Sequence, residues 1–461
     1  MKKILVVLLA MGFVMAAFGS AMAVTADFTG EYYVRGYYIN NNSLADQDKG
    51  EHRGSLSYVD QRLRMFPKLK IADGLTLTMR FDALETVWGI DQQPGSLSNA
   101  TSASAQRDWN SPNISIERVY VDFKTGIGDF RVGYQSGTPY SWGTSFMNAP
   151  GTAPGVKWSN KFGDLTVLAD WFKQKKGDWN FTADAMAIPN YDKSDYDRDY
   201  YDLGIVYKTK ALDAGLLWTY FRRADKTGTA PADYVRKVHF IQPYAKFKVG
   251  ALDLESEGYL GYGKDERNAP SATKPDVDYR AKGLYVKGKY NLGPAYVGAM
   301  FVYASGDDTS TIDKMEGGVN STFGYGSDSS GIFVGDVAPA ILFGYWYNNY
   351  ITLGEKGPGN SLGANIDNVW MYSLFAGFTP VKKIDLFARY TYAKADEITA
   401  SANADKPYGS ELDVQATYKI YDKLTYNIGA AYLWTGDYFK KPGGEDVKNN
   451  YMLMHWIDLN F

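Results

Sequence analysis

Cysteine is absent from this 461-residue chain, and histidine occurs at only three positions. Without cysteine the chain can form no disulfide, carry no lipid on a cysteine and attach no haem through a CxxCH motif. A catalytic triad needs its members within hydrogen-bond reach of one another, yet Asp458 and Asn460 fall on the opposite face of the last predicted strand from His455. We therefore expect no catalytic residues, no cofactor and no metal site.

Long apolar runs are also absent once the first 23 residues are set aside. Those residues combine two early lysines, an apolar stretch and Ala21-Met22-Ala23, which is the pattern of a cleaved signal peptide. We expect 1–23 to be removed and 24–461 to fold as one unit. No later run approaches the roughly 20 apolar residues that a membrane-spanning helix needs. Removing the two lysines takes the net charge from −3 to −5, which argues against a nucleic-acid partner.

Aromatic residues, by contrast, are abundant: the chain has 37 Tyr, 23 Phe and 11 Trp, although its mean hydropathy is −0.34. Large and mostly apolar residues occupy every second position from Tyr451 to Phe461. Apolar residues within 56–71 alternate in the same way with charged ones. Such alternation predicts strands with one apolar and one polar face. A soluble β-sandwich also alternates, but a membrane barrel better reconciles many aromatics with a low mean hydropathy.

Two kinds of connection alternate along the chain, tight turns and long polar segments. Eight tight turns and nine long segments require eighteen strands. We predict them at 27–39, 56–71, 74–88, 114–125, 128–136, 154–162, 164–174, 199–209, 211–223, 235–249, 251–264, 279–291, 294–305, 366–380, 382–395, 408–420, 423–435 and 450–461. The predicted fold class is all-β: a transmembrane, antiparallel, up-and-down β-barrel with short periplasmic turns and long extracellular loops. Sixteen strands are the alternative.

The longest connection, 306–365, is too long for a plain loop and contains the apolar segment 341–347. Long connections in compact domains usually serve a function. We expect an extracellular loop that folds into the lumen as a constriction or covers it as a lid. A separate surface substructure is the alternative, as is an extra hairpin that would change the strand count.

The last quarter of the chain resembles a known family. The run 409–419, followed by 424–432 and by Thr435-Gly436-Asp437-Tyr438, resembles the C-terminal hairpin of bacterial outer-membrane porins in the broad alginate-export-like group. The run 303–308 resembles the edge between strand and loop in such chains. The resemblance implies an eighteen-stranded outer-membrane channel. It does not imply alginate as the cargo, and no motif here matches the binding residues of the alginate channels.

Charged side chains are predicted on the inner wall of this barrel. A barrel of sixteen to eighteen strands leaves a water-filled pore, so its inward-facing residues set selectivity. The candidate pore-lining residues are Arg35, Asp60, Arg62, Arg64, Arg80, Asp82, Arg118, Asp122 and Arg131 on the first strands, and Glu255 and Glu257 roughly opposite. We interpret them as a basic wall that faces an acidic wall, creating a field that favours polar and charged solutes. Alternatively, these charges simply pair with neighbouring strands and keep the wall solvated.

These patterns predict a porin of the bacterial outer membrane, a water-filled channel for passive diffusion of small hydrophilic solutes with a preference for anions. Two alternatives stay open: a substrate-specific channel for an acidic polysaccharide or another anion, and a barrel sheath around a partner such as a redox protein. The expected partners are outer-membrane lipid, lipopolysaccharide, small solutes and the barrel-assembly machinery, which would engage the strand that ends at Phe461. A homotrimer is a further expectation, and nucleic acid is not expected to bind.

Overall fold

The computed structural model describes residues 24–40, 44, 55–88, 114–138, 142–146, 152–175, 197–225, 234–267, 270–317, 337, 339–342, 368–398, 405–440, 443 and 446–461. The predicted signal peptide, 1–23, and most of 306–365 lie outside the described residues. The described residues contain nineteen β-strands and the short 3-10 helix Asp437–Phe439. None of their helices has the length and apolar character to cross a membrane.

The nineteen strands form one sheet. They are β1 (Thr25–Asn40), β2 (Leu56–Ala72), β3 (Leu75–Val87), β4 (Ile114–Thr125), β5 (Gly128–Ser136), β6 (Thr152–Phe162), β7 (Leu165–Lys175), β8 (Arg198–Lys208), β9 (Leu212–Asp225), β10 (Tyr234–Val249), β11 (Leu252–Arg267), β12 (Val277–Leu292), β13 (Ala295–Ala304), β14 (Lys314–Met315), β15 (Val369–Val381), β16 (Ile384–Ala395), β17 (Pro407–Tyr421), β18 (Leu424–Thr435) and β19 (Asn450–Asn460). Eighteen of them pair antiparallel with their neighbours, and β13 pairs directly with β15. The two-residue β14 lies beside β12 in parallel orientation.

The sheet closes on itself because β1 pairs with β19 as well as with β2. At this seam Gly30 and Phe461 exchange backbone hydrogen bonds of 2.9 and 3.0 Å. A Cβ atom added to Gly30 would lie 2.4 Å from the Phe461 ring. Glycine therefore allows the aromatic side chain to pack directly against the backbone of β1.

The two ends of the barrel differ in their connections. Eight tight turns lie at the end that also holds the start of β1 and the finish of β19. The long connections lie at the other end. Barrels of the outer membrane have short turns on the periplasmic side and longer loops outside. We therefore refer to the periplasmic end and the outer end.

Alternation gives the barrel wall two chemically different faces. On β2 the inward-facing Asp60, Arg62 and Arg64 are buried. Large apolar residues are exposed on the outward face, among them Leu203, Ile205, Leu216, Leu260, Leu374, Ile428 and Leu453. An outer apolar band with a polar interior is the arrangement that lets strands face lipid on one side and water on the other.

The eighteen predicted barrel strands are confirmed, and each predicted boundary falls within three residues of the observed one. The three with the weakest alternation, 128–136, 154–162 and 294–305, are β5, β6 and β13. The sequence did not predict β14, which lies inside the expected loop 306–365. Two residues are too few for alternation to be recognised.

Candidate functional site

The lumen-facing side of β1 to β5 carries a set of residues that we call the arginine wall. It comprises Arg35, Asp60, Arg62, Arg64, Arg80, Asp82, Arg118, Asp122 and Arg131. Strand register places Arg35 opposite Asp60 and Arg64 opposite Asp82. The structure thus brings all the residues predicted on the first strands to one side of the lumen.

Forked ion pairs dominate the centre of the arginine wall. Arg35 donates through Nε and Nη2 to the two Asp60 oxygens at 3.1 and 2.8 Å. Arg64 donates in the same way to Asp82 at 2.8 and 2.7 Å. Arg80 donates to the same carboxylate at 3.1 and 2.7 Å. Two parallel charge-assisted hydrogen bonds make the strongest form of such a pair.

Three further arginines complete the wall. Arg131 donates to Asp122 at 2.6 and 3.2 Å, nearer the periplasmic end. Arg62 Nη2 lies 3.6 Å from a Glu31 oxygen. Arg118 lies on β4 directly beside the β3 arginine. Four of the six arginines of the wall, Arg35, Arg64, Arg80 and Arg131, thus lie in forked pairs with a carboxylate.

Part of the connection between β5 and β6 lies inside the barrel; residues 142–146 form the first inserted segment. The Trp142 indole Nε1 donates to the backbone oxygen of Gln242 at 2.9 Å. The backbone N–H and the hydroxyl of Thr144 both donate to one oxygen of Glu257, at 2.7 and 2.5 Å. A predicted pore-lining carboxylate therefore holds the segment in the lumen.

Packing reinforces the position of the first inserted segment. Gly143 has a φ of +61°, and a Cβ there would lie 2.8 Å from Glu257 Cδ. The Phe146 ring stacks 6.1 Å from that of Tyr259 and 5.8 Å from that of Tyr285. The segment therefore narrows the lumen, although the sequence placed all of 137–153 among the external loops.

A second inserted segment, residues 339–342, comes from the long connection between β13 and β15. The backbone N–H groups of Ile341 and Leu342 each donate to one oxygen of Glu411, both at 2.8 Å. Glu411 is fully buried on the lumen face of β17. The sequence could not identify this carboxylate as an anchor, because nothing local marks its distant partner.

On the opposite wall, β11 presents Asp253, Glu255 and Glu257 to the lumen. Glu255 and Asp253 each have a lysine on both neighbouring strands. The flanking lysines are Lys246 and Lys248 on β10 and Lys287 and Lys289 on β12. The expected acidic wall is therefore a wall of alternating charge. The alternate lysines of β10 and β12 are visible in the sequence, but parity within β11 alone does not show that they flank its carboxylates.

Comparison with known proteins agrees with this architecture. A family model described as Gram-negative porin matches residues 8–432. No curated protein matches the chain significantly. Among solved structures, the chain is similar to Pseudomonas aeruginosa OccK9 (OpdG), with a TM-score of 0.53, 14% identity and coverage of 94% of this chain and 99% of that one.

Two further solved structures show the same likeness. A BenF-like porin from Pseudomonas fluorescens Pf-5 has a TM-score of 0.51 at 11% identity and covers 94% of this chain and 99% of its own. Acinetobacter baumannii OccAB2 has a TM-score of 0.51 at 12% identity, with coverage of 94% and 98%. At these identities the likeness establishes the fold alone.

Proposed function

The chain belongs to the Gram-negative porin family, and from this premise we propose that it is a passive channel for small hydrophilic solutes that favours anions. Family membership and the eighteen-stranded barrel make it an outer-membrane channel for small solutes. The alginate-export-like group is a looser description than this family assignment. The passive mechanism and the charge preference are the new elements of the proposal.

The observation that supports a passive channel is a closed barrel with charged side chains along its inner face. Arg35 and Asp60 lie near the middle, and Asp253 and Lys289 lie near the periplasmic end. A barrel of this strand number is too wide for its own side chains to fill. Hydrophilic solutes therefore meet a polar wall along their path. The low-dielectric surroundings strengthen the electrostatic interaction between the lumen charges and a charged solute.

The preference for anions is supported by lysines at the periplasmic end. The side chains of Lys208, Lys248 and Lys289 are 69%, 63% and 39% exposed. The arginines at the centre of the arginine wall are instead buried against carboxylates. An exposed ammonium group can interact with a passing solute, whereas the buried Arg35 guanidinium is already paired one to one with Asp60.

Planar-bilayer recording of the purified full chain tests the proposal. We expect steady ohmic conductance and a reversal potential on the anion-selective side in a potassium chloride gradient. Liposome swelling should proceed with small sugars and amino acids and slow with increasing solute size. A channel that conducts no ions, or that prefers cations, would overturn it.

A substrate-specific channel is the second candidate, and the two inserted segments favour it because a narrowed lumen selects solutes more strongly. Saturable flux of one solute together with little flux of unrelated small sugars would identify it, since a passive channel also admits those sugars. The barrel sheath, the homotrimer, the signal peptide and engagement of the barrel-assembly machinery stay predictions.

A further inference from the structure

We propose that a cavity at the periplasmic mouth is a binding site for small dianions. This lysine cavity is bounded by Lys208, Lys210, Lys246, Lys248, Lys287, Lys289, Asp213, Asp253 and Glu255. The ligand class is a compact oxyanion with two negative charges, such as a dicarboxylate or hydrogen phosphate. The inference rests on the proposed channel function, because solutes reach the cavity through the lumen.

Strand register arranges the cavity as two rows of alternating charge. In the row nearer the middle of the barrel, Lys246, Glu255 and Lys287 are neighbours on β10, β11 and β12. In the row nearer the periplasm, the corresponding residues are Lys248, Asp253 and Lys289. Alternate residues lie about 7 Å apart along a strand, and strands two apart are separated by about 10 Å. Four lysines therefore mark the corners of a rectangle, with the Glu255 and Asp253 carboxylates between them.

The cavity carries an excess of positive charge. Its lining contains six lysines against three carboxylates, which leaves three positive charges in excess. Its volume is about 440 Å³, within the range of roughly 300–1,000 Å³ that is usual for small-molecule sites. Both the space and the net charge suit a compact anion.

Lys208 and Asp213 form a close ion pair at 2.6 Å in the cavity, but three other pairs there are loose. Lys287 lies 3.7 Å from Glu255. Lys248 and Lys289 lie 3.5 and 3.7 Å from Asp253. Charge-assisted hydrogen bonds are closer to about 2.7–2.9 Å, and exposed ion pairs stabilise a protein little. An incoming anion can therefore replace Asp253 as the partner of Lys248 and Lys289 with little loss of internal interaction.

Neutral donors already satisfy the carboxylates of the cavity. The pairs are Tyr285 with Glu255 at 2.5 Å, Tyr244 with Asp213 at 2.6 Å and Asn291 with Asp253 at 2.7 Å. Each carboxylate thus keeps a hydrogen bond when a lysine turns toward a solute. Retaining that bond avoids the desolvation penalty of an unpaired acceptor.

The cavity lies directly on the periplasmic side of the first inserted segment. Glu257, which holds Thr144 of that segment, is the next inward residue along β11 from Glu255. A solute that passes the narrowing therefore meets the lysines at once. A monoanion interacts with few of these lysines, whereas a dianion can bridge lysines of both rows. We therefore expect dianions to occupy the cavity more than monoanions at equal concentration.

Single-channel recording with added anions tests the site. Succinate or hydrogen phosphate, added to a potassium chloride solution, should reduce the wild-type current saturably, and acetate at equal concentration should not. In the double variant Lys246→Gln/Lys248→Gln the apparent Kd for the blocking dianion should rise about tenfold, since two of the four corner lysines lose their charge. Asp253→Asn removes a negative charge from the cavity and should therefore lower the apparent Kd for the dianion.

The matched control is Lys124→Gln/Lys161→Gln. These two lysines face the lumen near the same mouth, on β4 and β6, outside the cavity. Their loss changes the net charge equally, so an unchanged apparent Kd in the control indicates a local site. Equal weakening in both double variants would overturn the proposal in favour of a diffuse field.

The two solutes separate the ligand sources. Block by succinate alone assigns a dicarboxylate site, block by phosphate alone assigns a phosphate site, and block by both assigns recognition of charge. A conducting, anion-selective channel with no block by either dianion would overturn the site and leave the proposed function intact. A channel that does not conduct would instead overturn the proposed function.

Discussion

The arginine wall and the lysine cavity both place cations beside carboxylates in one lumen, yet they differ in how tightly the charges are paired. Arg35 and Asp60 are 0% and 1% exposed and share two hydrogen bonds. Lys248 and Asp253 are 63% and 37% exposed and 3.5 Å apart. The first arrangement holds strands together, and the second leaves charge available to a solute. Counting basic residues on the inner face therefore does not locate an anion site.

The largest effect is expected when the buried pair between Arg35 and Asp60 is broken, which tests whether the arginine wall holds strands together. Arg35→Met leaves the Asp60 carboxylate buried without its partner, which should reduce the free energy of unfolding by about 3–5 kcal/mol. Urea unfolding of the barrel in lipid vesicles measures it. The double variant Arg35→Met/Asp60→Leu should recover part of the loss, because the forked pair is then removed as a whole. Equal loss in the single and double variants would contradict the comparison.

Releasing the first inserted segment should have the next largest effect. Glu257→Ala removes two hydrogen bonds to Thr144, each worth roughly 1.5–3 kcal/mol when the acceptor is charged. Single-channel conductance should rise, with added current noise as the segment moves. Gly143→Ala should act in the same direction, since its Cβ would contact Glu257. Unchanged conductance in both variants would show that the segment does not narrow the path.

The reversal potential in a potassium chloride gradient compares the charge selectivity of the two regions. Arg35→Gln/Asp60→Asn removes one charge of each sign from a single forked pair and should leave this potential nearly unchanged. Lys246→Gln/Lys248→Gln should move the reversal potential toward cations. If the arginine variant shifts it more than the lysine variant, the arginine wall sets selectivity after all.

The smallest effect is expected at the turn between β2 and β3. Lys70 lies 2.7 Å from Asp73 and lowers the pKa of that carboxyl, but the Asp73 side chain is 97% exposed. A carboxyl whose pKa is lower in the folded state than in the unfolded state stabilises the fold at pH values above the unfolded-state pKa. This stabilisation is lost as the pH falls through the folded-state pKa. Solvent screening makes this contribution negligible. Asp73→Asn should match wild type in urea unfolding at neutral pH, and a loss like that of Arg35→Met would contradict this view.

Most of the barrel could be predicted because its signals are local. Alternation within a strand and turn residues between strands placed all eighteen barrel strands, including the irregular β5 and β13. The same parity placed Arg64 and Glu257 on the inner face. Neither alternation nor turn residues depend on residues far away in the sequence, so both can be recognised in one amino-acid sequence.

The pairing within the lumen could not be predicted in the same way. Thr144 and its acceptor Glu257 are 113 positions apart, and Ile341 and Glu411 are 70 apart. Whether Arg64 meets Asp82 in a forked pair depends on the register of β2 against β3. A shift of register changes every cross-strand contact without changing the pattern of either strand.

The seam between Gly30 and Phe461 sets a condition on biogenesis. It joins residues from the two ends of the described chain, and contacts so remote in sequence form slowly because a very large loop must first be closed. Until then β1 and β19 each expose a row of unpaired backbone groups that any other strand could join. A partly inserted molecule therefore exposes two strand edges at once, and either edge can pair with another chain until the seam forms.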